Sequence, residues 1–493
     1  MKKLFLALTG LILVLAIVVA GKTWLSPSLQ GERPVAEGDL PGDEMAYAGR
    51  LADFLRLATV STRDPRNADP KPFAAFHGLL EEHYPLVHQH LDKKTFNGFS
   101  ILYHWRGRKK DLKPVLLLAH MDVVPAGGTD LSRWPAPPFA GVIKDGQIHG
   151  RGALDDKGSL IAIMEAAEAL LEKGFVPSRD IYFAFGHDEE VGGARGAAAI
   201  AAHLLEKGVM ASFTLDEGAA VISPKMSPAG VETALIGLAE KGYLTLEITV
   251  THKGGHSSMP IAPTTLDILA EAITRLRDNP FPVNKQGPFF TFQEYAAPEM
   301  SGIRRVLFSN GWLFDPLIEE IMNGIAPGFI RTTMVPTMIE AGVKENVIPS
   351  TAKITVNLRL LPGDSVKSVI ARLEEVLDGL PVTVRAKHTG RDASRISDVN
   401  GEGYHLVHRA IGSTFPADTV IAPFLTLAGT DSRHYELVSE NSYRFSPFRL
   451  GDGDLATIHG IGEKIPVADY VRMIRFYKSL IKNLEGEKPL TSH

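Results

Sequence analysis

Three short apolar runs, each ending in imidazole or acidic side chains, constrain this chain more than any other feature. VLLLAH (115–120) leads into Met121 and Asp122. IYFAFG (181–186) leads into His187, Asp188, Glu189 and Glu190. ASFTL (211–215) leads into Asp216, Glu217 and Gly218. Runs of this length suit strands buried on both faces, as in a parallel sheet covered by helices. Alanine-rich helical stretches lie between them, at 160–171 and again up to about residue 205. Repeated strand, turn and helix units predict an α/β domain with a central, mostly parallel sheet. Such sheets keep their chemistry at the carboxyl ends of the strands, where these polar residues fall.

A chain of 493 residues exceeds one ordinary hydrophobic core. After Gly237 the texture changes to alternation, as in TLEITV, which suits a sheet with one solvated face. The reading divides the chain into an N-terminal membrane segment (1–21), a linker (22–43), a first catalytic part (44–240), an inserted α+β lid or dimerisation domain (241–388) and a second catalytic part (389–493). Residues 289–335 read as a long irregular region rich in apolar side chains. That region fits an acyl-chain site, ordinary core or a dimer contact. The formal net charge is −5 with no basic block, which argues against nucleic-acid binding. Cysteine is absent, so disulfides, thiolate metal sites and a cysteine nucleophile are excluded. Any protein-held metal must rely mainly on His, Asp and Glu. At the N-terminus, Lys2 and Lys3 precede an apolar run at 4–21. As a helix it spans about 27 Å, close to the bilayer's hydrocarbon thickness. The lysines orient such a helix with the body on the extracytoplasmic side, periplasmic or extracellular. Cleavage after the small residues near Ala20 would instead release a secreted protein.

His120, Asp122, Asp155, Glu189, Glu190, Asp216 and His459 lie at strand ends or in glycine-rich loops. Two histidines with several carboxylates suit borderline cations such as zinc. Asp155, in GRGALDDKG, is the natural bridge between two ions. His120 and Asp216 then complete one site, and Glu190 and His459 the other. Asp122, two residues after His120, is placed to accept the proton of the ring nitrogen that faces away from metal. Glu189 and Glu190 are adjacent and take different roles, Glu190 binding metal and Glu189 acting as base on water. Each residue alone also admits a plainer reading: a capping carboxylate at Asp122 or Asp216, a solvated pair at Glu189–Glu190, a loop histidine at His459.

HMDVVP, GRGALDDKG, GHDEEVGG, LDEG, GGHSSMP, ENVIP and TDSRHY, taken together and in order, resemble the co-catalytic zinc family of aminoacylases and exopeptidases. That family includes aminoacylase, glutamate carboxypeptidase, succinyl-diaminopimelate desuccinylase and vacuolar carboxypeptidase S. GTDSRHY and YRFSPF look most like the branch of N-fatty-acyl-amino-acid hydrolases/synthases. The resemblance runs from about residue 44 to the end. It implies a di-zinc exopeptidase-like catalytic domain interrupted by the lid. It implies His120, Asp155, Glu190, Asp216 and His459 as metal ligands, with Asp122 and Glu189 as orienting acid and base. Relatives differ in which acid supplies the ligand at Asp216, with Glu217 beside it. The resemblance also implies His256 as oxyanion stabiliser, supplied in dimeric relatives by the neighbouring subunit. Asn346, Arg359 and Arg433 match residues near substrate, Arg359 receiving a carboxylate. Taken singly, His256 also reads as a loop histidine, Asn346 as a turn residue, and Arg359 and Arg433 as ion-pair partners.

The expected protein is therefore a metal-dependent amidohydrolase with two zinc ions per chain, cobalt or manganese fitting the same ligands. Its expected substrate is an N-acyl amino acid with a hydrophobic or fatty acyl group, in a reaction open to reversal. The alternative is a metallo-carboxypeptidase acting on short peptides. A metal-free binding protein on the same fold would normally lack a ligand or the base, and none is missing. A homodimer through the inserted domain and membrane attachment through the N-terminal segment complete the expectations.

Overall fold

A computed structural model describes residues 2–31, 33, 34, 40, 42–126, 131–260 and 262–484. Part of the expected 22–43 linker lies outside them. The first helix, α1 (Lys2–Leu25), has exposed apolar side chains along nearly its whole length, and only Thr23 is buried. Helix α2 (Glu44–Leu55) starts where the Asp43 carboxylate accepts the Met45 N–H, and it turns Leu51, Phe54 and Leu55 inward.

The catalytic sheet then assembles from β1 (Asp92–Phe96), β2 (Ser100–Trp105) and β3 (Val115–His120). Helix α3 (Lys157–Leu171), β4 (Ile181–Gly186), α4 (Ala197–Glu206), β5 (Phe213–Asp216), β6 (Val221–Ile222) and β7 (Thr233–Glu240) follow. The chain next builds the inserted unit: β8 (Gly242–Thr251), α5 (Thr265–Asp278), α6 (Gly302–Ser309), α7 (Gly311–Ile325), β9 (Thr333–Ala341), β10 (Thr351–Leu360), α8 (Val366–Val376) and β11 (Val382–Ala386). It returns with α9 (Glu402–Thr414), β12 (Val420–Thr426), β13 (Ser442–Arg444), β14 (Arg449–Leu450) and α10 (Val467–Asn483).

The large sheet runs β1-β2-β4-β3-β5-β13-β7-β6-β14, with β12 beside β7. It is mixed. The central strands β4, β3, β5 and β13 are parallel, whereas β1, β2 and the β13–β7–β6 segment introduce antiparallel pairs. Every residue of β3, β4 and β5 is buried, as their unbroken apolar sequence requires. Helix α3 is buried on almost all sides, and its alanines let it lie between the sheet and α10.

The inserted unit is a four-stranded antiparallel sheet, β9-β10-β8-β11. Its apolar face packs on Ile268, Leu269 and Leu276 of α5 and on Val369 and Leu373 of α8. Both helices open with capping boxes, Thr264 with Asp267 and Ser365 with Ser368.

The region 289–335 is not irregular. It holds a helix at Pro288–Ala296 followed by α6 and α7. Gly302, Gly311, Pro316 and Gly324 mask the helical period there, and the neighbouring core overrides their low propensity. Phe292, Ala296 and Met300 pack on Leu235 and Ala422 of the large sheet, so this segment covers the catalytic sheet rather than the lid. Phe314, Phe329 and Ile330 join Phe289, Ile318 and Met322 in a separate small core.

Candidate metal centre

Strand β3 ends at His120, strand β4 two residues before the Glu189–Val191 turn, and strand β5 at Asp216. The three parallel strands thus open onto one crevice. Asp155 reaches it from the Gly150–Asp156 turn, in which Gly152 has φ +91° and lies against Val123 and Lys157. His459 reaches it from the loop before α10 and itself adopts φ +58°, a costly backbone for a side-chain-bearing residue.

The resulting geometry centres on Asp155. Its Oδ1 lies 3.0 Å from His120 Nε2, and its Oδ2 lies 2.9 Å from His459 Nε2. Glu190 Oε2 lies 3.1 Å from the same His459 nitrogen. On the other side, Glu217 Oε1 lies 3.2 Å from His120 Nε2. Ligand atoms of His120, Asp155 and Glu190 fall within 4.8 Å of one another, as do those of His120, Asp156 and Glu217. Two clusters sharing His120 form a candidate binuclear metal site.

Asp216 takes a different place from the expected one. Its Oδ1 accepts the Glu217 N–H at 2.9 Å and its Oδ2 accepts the Ser432 N–H at 2.6 Å. Successive residues leaving a strand point to opposite sides, so Asp216 faces the interior near Arg444 while Glu217 enters the cluster. Glu217, not Asp216, is the acid beside His120.

Asp122 is fully buried and joins two parts of the site. Its Oδ1 lies 3.4 Å from His120 Nδ1, whose nearest acceptor is the Asp122 carbonyl at 3.0 Å. Its two carboxylate oxygens accept the N–H groups of Glu189 and Glu190, each at 3.2 Å. Glu189 Oε1 lies 3.7 Å from the Arg433 guanidinium. Burial pushes the Glu189 carboxyl up to about 8, opposed by His120 and Arg433.

The remaining electrostatics show an excess of buried acid. Burial, then Asp155 and Asp156, hold Glu217 well above the usual carboxylate range. Burial also raises Asp156 and Glu190. Against burial, Glu217, Asp122 and Asp155 push the His120 imidazole well up. Hydrogen bonds to Asp155 and Glu190 bring His459 up to about 10. Glu190 Oε1 is buried without a hydrogen-bond partner. Crowded carboxylates, two imidazoles and an orphaned acceptor fit a pair of divalent cations.

Several supporting residues escape a reading of the sequence. Glu463 is wholly buried, and its Oε1 accepts the N–H groups of Gly152, Leu154 and Asp155. Its other oxygen takes Arg151 Nη1 at 2.7 Å. The loop carrying His459 is thereby fastened to the turn carrying Asp155. Lys157, also buried, donates to the carbonyls of Phe54 and Leu57 at the end of α2, and burial lowers it to about 7. Asp431 packs its carboxylate where Gly193 leaves no room for a Cβ. Only the position of Glu463 in a glycine-containing loop, or of Asp431 beside Arg433, hints at these roles.

The lid residues stand apart from the cluster. His256 pairs with Val347 in a two-residue ladder, is exposed, and accepts hydrogen bonds at Nδ1 from Ser258. The neighbouring Asn346 accepts the Ser257 N–H through its carbonyl. Neither makes a hydrogen bond or ion pair with the cluster among the described residues. Arg359 lies over the Tyr243 ring at 4.9 Å and belongs to a group of cations with Lys241, Arg391 and Arg433.

The model of peptidase family M20/M25/M40 matches residues 116–483. The chain belongs to peptidase family M20/M25/M40. It is 38% identical to a probable carboxypeptidase S-like 2 of Dictyostelium discoideum, over 90% of this chain and 86% of that one. It is 34% identical to the N-fatty-acyl-amino acid synthase/hydrolase PM20D1 of Bos taurus, over 99% and 98% of the two chains. Among solved structures, the M20 family metallo-carboxypeptidase Sso-CP2 from Sulfolobus solfataricus shares the fold with a TM-score of 0.64 at 19% identity, covering 90% and 99%. Membership in this M20 family makes the protein a metal-dependent amidohydrolase or exopeptidase, with the binuclear cluster at its centre.

Proposed function

We propose that the protein is a zinc-dependent exopeptidase of the carboxypeptidase type, cleaving the amide bond beside the free carboxylate of short peptides. The carrying observation is Arg433, 3.7 Å from the Glu189 carboxylate beside the His–carboxylate cluster and grouped with Arg391, Arg359 and Lys241. A terminal carboxylate needs such fixed cations. The carboxypeptidase S-like relative favours peptides over the N-acyl amino acids that the sequence puts first. The PM20D1 relative and the apolar N-terminal helix keep fatty N-acyl amino acids as the second reading.

His120, Asp155, Glu190, Glu217 and His459 would hold two ions, zinc suiting this donor set and cobalt or manganese fitting it too. A divalent pair supplies an activated water and a polarised carbonyl. Glu189 removes the proton from water and returns it to the leaving amine. Asp122 fixes the ring of His120 and the backbone of Glu189 and Glu190 together. Arg359 receives the carboxylate. His256 and Asn346 reach substrate only on lid closure or from a partner subunit. The lid's outer strand β9 exposes Val335, Met338 and Ile339, a surface suited to homodimer pairing. Helix α1 anchors the protein, its body extracytoplasmic, or secreted where the helix is cleaved.

Detergent-solubilised, zinc-loaded full-length protein should hydrolyse an N-blocked dipeptide. Amidation of the dipeptide's C-terminus or the substitution Glu189→Gln should abolish turnover. Hydrolysis of an N-oleoyl amino acid alone would favour the second reading.

A further inference from the structure

We propose that α7 is a second membrane contact, an amphipathic helix resting in the lipid headgroup layer beside the anchor. The proposal rests on the reading of α1 as a membrane helix. Leu313, Leu317, Ile321 and Ile325 recur every four residues on its outer face and are 36%, 49%, 46% and 74% exposed. That spacing aligns them along one side of the helix. Glu320 is the one ionisable side chain among the exposed residues of α7. The inner face, with Ile318 and Met322, is already committed to the small core beneath.

The structure places the start of α7 beside the anchor's outer end. Asn310, immediately before α7, donates to Thr23 Oγ1 at 2.9 Å and to the Val19 carbonyl at 3.3 Å. Arg305 of α6 donates to the Thr23 carbonyl at 2.8 Å and lies over the Trp24 ring. Lys22 lies 5.8 Å from the Trp312 ring centroid. A hydrocarbon span over residues 4–21 ends just before Lys22. Lys22, Trp24 and Trp312 then fall at the level where tryptophan and basic side chains settle on a bilayer. Trp312 starts α7, so the apolar row leaves from that level. A row with this composition, starting at that height, is suited to meet acyl chains and headgroups rather than water.

The inner side of the same hairpin borders the substrate region. The loop after α7 accepts two hydrogen bonds from Lys241, through the carbonyls of Gly328 and Arg331. Phe329 of that loop packs on Phe424 and Leu425. The element that touches the bilayer therefore also supports one of the cations assigned to the substrate carboxylate.

The chain contains no cysteine, so single spin labels can be placed unambiguously. Full-length Val14→Cys, Leu317→Cys, Ile321→Cys and Lys207→Cys proteins are labelled and reconstituted into vesicles of phosphatidylcholine and phosphatidylglycerol. Accessibility to dissolved oxygen and to a water-soluble nickel chelate is then read. The expected result is a severalfold rise in oxygen access and a severalfold fall in chelate access at 14, 317 and 321 relative to 207. Protection at 14 with aqueous behaviour at 317 and 321 overturns the proposal and leaves the anchor standing. Aqueous behaviour at all four positions removes the anchor and the proposal together. Spin–spin broadening at 317 and 321, with both reagents excluded, assigns the face to a second copy and overturns the lipid contact.

Discussion

Asp216 and Glu217 differ by one methylene and one position, and the metal site turns on which of them faces His120. Glu217 Oε1 lies 3.2 Å from His120 Nε2, whereas the Asp216 carboxylate is taken up by backbone N–H groups. Glu217→Ala should therefore lower bound metal from two ions per chain toward one, read by elemental analysis of the purified protein. Asp216→Asn should keep both ions and cost about 1–3 kcal/mol of stability, because one of the two buried N–H groups that the carboxylate accepts would lose its acceptor. His120, Asp155 and Glu190 are legible in the sequence because each follows an apolar run or sits in a glycine turn, whereas Asp156, beside Asp155 in the second group, is not singled out there. The choice between adjacent acids is not legible, because it depends on the phase in which the chain leaves β5.

At the scale of elements, the site is two loops fastened together. The turn carrying Asp155 and the loop carrying His459 meet through Glu463, which accepts three N–H groups and the Arg151 guanidinium. Glu463→Ala should destabilise the protein by roughly 3–5 kcal/mol, since Arg151 would remain buried and uncompensated. It should also weaken metal binding by about 10–100-fold, measured by titration in metal buffers. Glu463→Gln keeps one acceptor and should fall between this variant and the wild type. No local pattern reveals Glu463, because its partners lie some three hundred residues earlier in the chain. The buried strands are legible because their apolar runs are continuous. The helices α6 and α7 are not, because glycine and Pro316 interrupt their period and packing restores it.

For the whole molecule, cations and fold are coupled. Several buried carboxylates of the crevice are held above their usual range, so binding of divalent ions should stabilise the folded state in proportion to occupancy. Dialysis against a strong chelator should abolish activity and lower the apparent melting temperature by a few degrees, both restored by zinc. A calorimetric scan with and without metal checks this. At the same scale, the inserted four-stranded sheet is legible in the change of apolar texture after Gly237, whereas the antiparallel pairs of the large sheet are not, because β2 is mostly apolar, like its parallel neighbours. Their relative placement rests on the 279–332 segment, which the sequence alone leaves open.

Gln30 clasps the backbone of Ile421 from both sides, donating to its carbonyl at 3.1 Å and accepting its N–H at 2.7 Å. Arg33 reaches the carbonyl of Pro416 nearby. The stretch after the apolar helix is thus stitched onto the edge of β12 instead of trailing as a leash. With the apolar helix in a bilayer, this bracket would hold the crevice at a fixed height and tilt above the lipid surface.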